Sequence, residues 1–71
     1  MRVAFWGLGS IAKRHIRNIY TILKQGGDTP KIDVFRHKKQ QIQEADIREM
    51  VTGVYSQNEL EDKYYDIIFI T

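Results

Sequence analysis

Two glycines near the N-terminus are spaced as a phosphate-binding turn requires. The apolar run 3–6 leads into Gly7 and Gly9, and Ala12 completes the pattern G-x-G-x-x-A. In strand–turn–helix units that bind dinucleotides, the first glycine allows the tight turn. The second lets a pyrophosphate approach the backbone, and the small third residue lets the helix pack closely on the strand. The spacing therefore predicts a dinucleotide site, and a chance tight turn after a strand is the alternative.

The residues around these glycines would supply the hydrogen bonds. The first N–H groups of a helix have no partner within it, and the helix dipole favours an anion at that end. We expect Gly7, Leu8, Gly9, Ser10 and Ile11 to surround the pyrophosphate. Ser10 has no G-x-S-x-G context, so it is predicted to start the helix and face phosphate rather than to act as a nucleophile.

The elements that must position this turn are a buried strand and an amphipathic helix. Residues 2–6 are predicted as a strand and residues 10–25 as a helix. The helix face that packs on the sheet is defined by spacings of four, three and four, and a second set of residues widens it. The first set is Ala12, Ile16, Ile19 and Leu23, and the second is Ile11, His15 and Ile22. For His15 a packing or capping role is expected.

The rest of the chain continues to alternate strands and helices. Strands are predicted at 31–36, 50–55 and 66–71. Gly53 indicates a bend or an edge position for the strand over 50–55, and the continuously apolar last strand is predicted to be central in the sheet. A weak helical pattern covers 40–49, where Ile42 and Ala45 would face the sheet. The S-x-x-E sequence from Ser56 to Glu59 predicts a capping box and a helix over 57–63. This order predicts an α/β fold, with a parallel sheet of about four strands and flanking helices.

Composition excludes several classes of protein. The chain has 71 residues, no cysteine and a net charge of +2 with acids and bases mixed, so we expect neither a disulfide framework nor a nucleic-acid partner. No apolar stretch is long enough to cross a membrane, and no signal peptide is evident. The sequence shows no metal-ligand cluster. A cytoplasmic location is expected.

The block GLGSIAKRHIRN and the closing DIIFIT resemble the start of the Gfo/Idh/MocA oxidoreductases. The segment YSQNELEDKYYDIIFIT is similar to the run that precedes that family's "TP" turn. The resemblance implies that residues 1–71 are the N-terminal portion of an NAD(P)-binding Rossmann domain, a partial Rossmann fold. The substrate domain, for a sugar or polyol, and the catalytic lysine would lie beyond it. We therefore expect a dehydrogenase parent, and an inactive 71-residue chain with no catalytic residue.

The end of the second strand bears on the choice of cofactor. Many NAD-using members of the family carry an acid there, whereas this chain has Arg36, followed by His37, Lys38 and Lys39. An acid accepts hydrogen bonds from the ribose 2′-OH, and arginine suits a 2′-phosphate. NADP is favoured over NAD, with Arg36 and Lys38 at the ribose and Thr71 lining the cleft. A solvated basic loop is the alternative.

Two further functions stay open at this stage. The chain could be a non-catalytic nucleotide-binding or redox-sensing regulatory module, which the sequence after residue 71 would distinguish from an enzyme. A basic helix could bind nucleic acid through Lys13, Arg14 and Arg17, although the mild net charge argues against it. We also expect association into homo-oligomers through open sheet edges.

Overall fold

The computed structural model describes residues 1–37 and 42–70, except for the side chain of residue 62. The elements, in chain order, are β1 (Arg2–Trp6), α1 (Ser10–Gln25), β2 (Lys31–Arg36), α2 (Ala45–Met50), β3 (Gly53–Ser56) and β4 (Ile67–Ile70). Two short 3₁₀ turns, Gln57–Glu59 and Asp62–Tyr64, lie between β3 and β4. The predicted bounds of β1, α1 and β2 are confirmed.

The four strands form one sheet in which all neighbours are parallel. Their order is β3-β2-β1-β4, so β1 pairs with β2 on one side and with β4 on the other. The prediction of a small α/β fold is confirmed, and the arrangement is that of a partial Rossmann-like domain. Because the strands are parallel, the carboxyl ends of β1 and β2 lie side by side.

The core lies between the sheet and the helices. Alternate residues of β1 and β2 point towards α1, as the pleat of a strand requires. They form one buried cluster with two residues of α1 and two from the segment around α2. The cluster consists of Val3, Phe5, Ile32, Val34, Ala12, Ile16, Ile42 and Ile47. This packing fixes the direction of α1, and with it the position of the turn that precedes the helix.

The buried face of α1 is narrower than its sequence pattern predicts. Ala12 and Ile16 are fully buried, and His15 is half-buried with its ring stacked on Phe69 at 5.6 Å between centroids. The packing role of His15 is confirmed. The expectation that Ile11 and Ile22 widen the face is wrong, because each is 65% exposed. Helical periodicity places them next to the buried stripe, and no described element covers that side.

The segment from 42 to 56 differs most from the prediction. Ile42 is buried as expected, but Ala45 is exposed and Ile47 takes its place in the core. Met50 ends α2 rather than starting β3, which begins at Gly53. Ile47 and Met50 are three residues apart, so a helix directs both towards the core, which favours helix over strand. The edge position of β3 is confirmed.

The link from β3 to β4 begins with the predicted capping box. The Ser56 N–H donates to Glu59 Oε2 at 2.8 Å, and the reciprocal contact of the box is also present. The predicted helix over 57–63 is wrong, since two 3₁₀ turns replace it. Leu60 has an extended conformation, with φ −65° and ψ 126°, which interrupts the helical hydrogen bonds after one turn.

β4 lies at the edge of the described sheet, and the prediction of a central strand is wrong for this part of the chain. Ile67 and Ile70 are 38% and 81% exposed. A continuously apolar strand is typical of a central position. The described sheet has no strand on the outer side of β4, so this strand lies at the edge. The outer edge of β4 therefore carries unpaired backbone groups. Association through this edge stays a prediction.

The sheet face opposite α1 carries an aromatic cluster. Phe35 stacks on Tyr55 at 5.4 Å and meets the edge of Tyr65 at 5.8 Å. The Tyr65 hydroxyl donates to Asp33 Oδ2 at 2.6 Å. Partial burial and this hydrogen bond hold the pKa of Tyr65 well above its usual value near 10. Asp33 is thus engaged in a hydrogen bond on this face of the sheet.

Candidate dinucleotide-binding site

The turn after β1 has the backbone geometry that its first glycine permits. Gly7 has φ of 99°, a conformation that side-chain-bearing residues rarely adopt. Its N–H donates to the Phe35 carbonyl at 2.8 Å, which ties the turn to the end of β2. Gly7 therefore shapes the turn, while its amide is already occupied within the fold.

The N-terminus of α1 has no capping side chain. Gly9 is the N-cap residue, its backbone is extended, and the first turn of the helix contains no acid. The first intrahelical bond runs from the Lys13 N–H to the Gly9 carbonyl at 3.1 Å. The N–H groups of Ser10, Ile11 and Ala12 precede it, so the helix itself provides them with no acceptor. Together with the helix dipole they favour an anion.

Space is open beside Gly9. A Cβ atom built on Gly9 has no other atom within 4 Å, and Ser10 and Ile11 are exposed. A ligand can therefore reach the backbone at this point. The φ of −88° at Gly9 is one that any residue adopts, so the fold does not demand glycine here. A side chain at this position would block the approach of a ligand to the backbone.

A cleft of about 780 Å³ extends from the turn along the end of β2. Its described lining consists of Leu8, Lys13, Arg36, Ile42, Gln43, Glu44 and Arg48. The structure thus brings together two of the predicted site residues, Leu8 from the turn and Arg36 from β2. Two further predicted contacts, Lys38 and Thr71, lie outside the described residues.

Two ion pairs join α1 to the segment that forms the far wall of the cleft. Lys13 pairs with Glu44, and Arg17 Nε donates to Asp46 Oδ2 at 2.8 Å. The hydrogen bond from Lys13 lowers the pKa of Glu44, and that from Arg17 lowers the pKa of Asp46. The bond to Asp46 in turn raises the pKa of Arg17. We call these two pairs the clasp.

The clasp predicts a loss of stability in acid. A carboxyl whose pKa is lowered by folding stabilises the folded state above its ordinary pKa, near 4, and this contribution disappears as the pH falls through the lowered value. We expect the urea midpoint to fall less steeply below about pH 5 in a Lys13→Gln/Arg17→Gln variant than in the native chain. Circular dichroism at a series of pH values measures this.

The control for this experiment is Arg14→Gln. Arg14 is an exposed cation on the same helix, and the described part of the chain gives it no ion pair. Its removal should leave the acid dependence of the native chain unchanged. If the urea midpoint of the double variant falls with pH as steeply as that of the native chain, the clasp does not stabilise the fold.

Sequence reasoning did not identify the far wall of the cleft. Glu44 and Arg48 lie in a segment of weak periodicity, and neither was predicted to belong to the site. One signal was present in the printed sequence. Lys13 and Arg17 are four residues apart on one helix face. Glu44 and Asp46 are two acids separated by a single residue. A pair of bases on one element and a pair of acids on another are compatible with two elements that pack side by side.

The structure shows the fold class of the chain, and the comparisons with known proteins identify no family. Comparison with family models, curated proteins and solved structures finds no match to this chain. The fold is a partial Rossmann-like α/β sheet whose glycine turn opens a helix. Over residues 1–37 and 42–70, no cluster of three or more histidines and acids is placed to hold a metal ion. Neither α1 nor α2, the described helices, has the length and hydrophobicity needed to cross a membrane.

Proposed function

We propose that the chain binds a nicotinamide dinucleotide at the turn between β1 and α1. The observation that supports this is the uncapped start of α1, where the N–H groups of Ser10 and Ile11 precede the first intrahelical bond beside an open Gly9. A pyrophosphate is the anion that such a glycine turn accommodates.

The order of the strands supports the same position. The chain leaves β1 to form β2 and β3 on one side, and then reaches β4 on the other side of β1. In open α/β sheets, ligands bind outside the carboxyl ends of the strands at the point where the order reverses. The glycine turn follows the carboxyl end of β1, next to this point.

The residues around the turn fit the separate parts of a dinucleotide. Gly7 gives the turn its shape, and Gly9 leaves room for the pyrophosphate. Leu8 borders the cleft that leads to Arg36. Arginine presents a planar, always charged group that matches phosphate, so a 2′-phosphate on the adenosine ribose suits this end of the cleft. We therefore favour NADP over NAD.

We further propose that the chain is the N-terminal part of the Rossmann domain of a Gfo/Idh/MocA-type oxidoreductase acting on a sugar or polyol in the cytoplasm. When bound, the nicotinamide would accept or donate the hydride. The residues of this chain would bind and orient the cofactor. The groups that exchange protons with the substrate would belong to a longer parent protein, so the 71-residue chain is expected to show no turnover.

The proposal is tested by titrating NADPH and NADH into the 71-residue chain. Trp6 is the single tryptophan, and it directly precedes Gly7, so its fluorescence reports binding at the turn. We expect both dinucleotides to bind, NADPH more tightly. Arg36→Ala should weaken NADPH binding at least about tenfold, because a charge-assisted hydrogen bond contributes about 1.5–3 kcal/mol, and leave NADH binding unchanged.

Arg2→Ala is the matched control, since it removes the same side chain at the opposite end of the sheet. It should leave both affinities unchanged. If neither dinucleotide binds, the proposed function is wrong. If both bind equally, or if the ratio is unchanged by Arg36→Ala, the role of Arg36 is wrong and the dinucleotide site stands.

A further inference from the structure

Arg48 is a cation of the cleft that the sequence did not predict as a site residue. It lies in the last turn of α2, is exposed, and lines the cleft together with Leu8 and Arg36. Its backbone N–H bonds the Glu44 carbonyl at 3.0 Å. Within residues 1–37 and 42–70, the guanidinium of Arg48 has no hydrogen-bond or ion-pair partner.

Among the described residues that line the cleft, positive and negative charges do not balance. Three cations, Lys13, Arg36 and Arg48, face one carboxylate, that of Glu44. Glu44 is already paired with Lys13. The described lining therefore has a net charge of +2, and such a cleft attracts an anion.

The clasp holds Arg48 beside the cleft. The two ion pairs fix the first residues of α2 and the residue before it against α1, and Ile47, next to Arg48, is fully buried in the core. A side chain on an anchored helix loses less freedom when it binds a ligand than one on a mobile loop. Arg48 is thus placed on a supported element, across from the end of β2.

We propose that Arg48 binds the ribose 2′-phosphate of the dinucleotide together with Arg36 and so determines the preference for the phosphorylated cofactor. This inference rests on the proposed function. The chemistry recognised is that of a phosphate monoester. Two guanidinium groups from separate elements can each donate to a different oxygen of such a group.

The test uses fragments of the cofactor that separate this contact from the rest of the site. Adenosine 2′,5′-bisphosphate and adenosine 5′-monophosphate are titrated into the 71-residue chain, with calorimetry as the readout. We expect the bisphosphate to bind more tightly. Arg48→Gln should weaken bisphosphate binding about tenfold and leave the monophosphate unchanged, because only the 2′-phosphate contact is lost. Arg48→Lys keeps the positive charge, so it should weaken bisphosphate binding less than Arg48→Gln does.

Arg2→Gln is the control, the same change at the other end of the sheet, and should alter neither affinity. Equal losses for both nucleotides, or no loss with Arg48→Gln, would overturn the inference, and NADH binding would then show that the proposed function survives. Inorganic phosphate that competes as well as the bisphosphate would assign the cleft to free phosphate and also overturn it. Bisphosphate binding that depends on Arg48, without binding of NADH or NADPH, would support the contact and refute the dinucleotide function.

Discussion

Replacing Gly9 with valine should weaken NADPH binding at least about a hundredfold while the chain stays folded. The side chain would fill the space through which a pyrophosphate reaches the N–H groups of Ser10 and Ile11. The loss of two charge-assisted hydrogen bonds, each about 1.5–3 kcal/mol, accounts for this factor. Titration of NADPH with Trp6 fluorescence as the readout gives the affinity.

The fold should tolerate this change because Gly9 has an extended backbone and an open environment. Valine is a poorer N-cap residue than glycine, so a stability loss of about 1 kcal/mol is expected. Gly7→Ala provides the contrast. At φ of 99° an alanine is strained, with a cost on the order of 1–3 kcal/mol, so this variant should lose stability as well as binding. Native affinity in Gly9→Val would show that the ligand does not approach this backbone.

Ile16→Ala should lower the free energy of unfolding by about 2–5 kcal/mol, the range for a large-to-small change in a packed core. Ile16 is fully buried between α1 and the sheet. A 71-residue domain has roughly 4–11 kcal/mol of stability in total, so the variant should lose a large share of it. Urea unfolding followed by circular dichroism measures the loss.

Ile22→Ala is the matched control, because it makes the same chemical change on the same helix. Ile22 is 65% exposed, so its truncation should change stability by no more than about 0.5 kcal/mol. Equal losses for the two variants would contradict the narrow buried face of α1. They would indicate that Ile22 is covered in solution, for example in an oligomer, and a concentration-dependent midpoint would then identify that case.

The first 36 residues could be predicted element by element because their signals are local. Continuous apolar residues define β1, a 3.6-residue period defines α1, and Gly7 marks the turn between them. The glycine pattern also identified the backbone that a phosphate could approach. Each of these depends on neighbours within a few residues, so no knowledge of distant contacts was needed.

The region from 42 to 64 could not be predicted in the same way. The helix α2 has only six residues, too few to be stable by propensity alone. Burial of Ile47 and the ion pairs to α1 hold it in place. The two ion pairs join residues about thirty positions apart, and the helix that they hold ends at Met50, which was predicted to start the next strand.

The sequence by itself therefore determined the parallel α/β fold class and the glycine turn that opens α1, because periodicity and glycine spacing are local properties. Tertiary structure alone decided how wide the buried face of α1 is, where β4 lies in the sheet, and which charged residues share the cleft with Arg36. Those features depend on side chains that meet across the fold, and burial or charge pairing between distant residues leaves no unambiguous pattern along the chain.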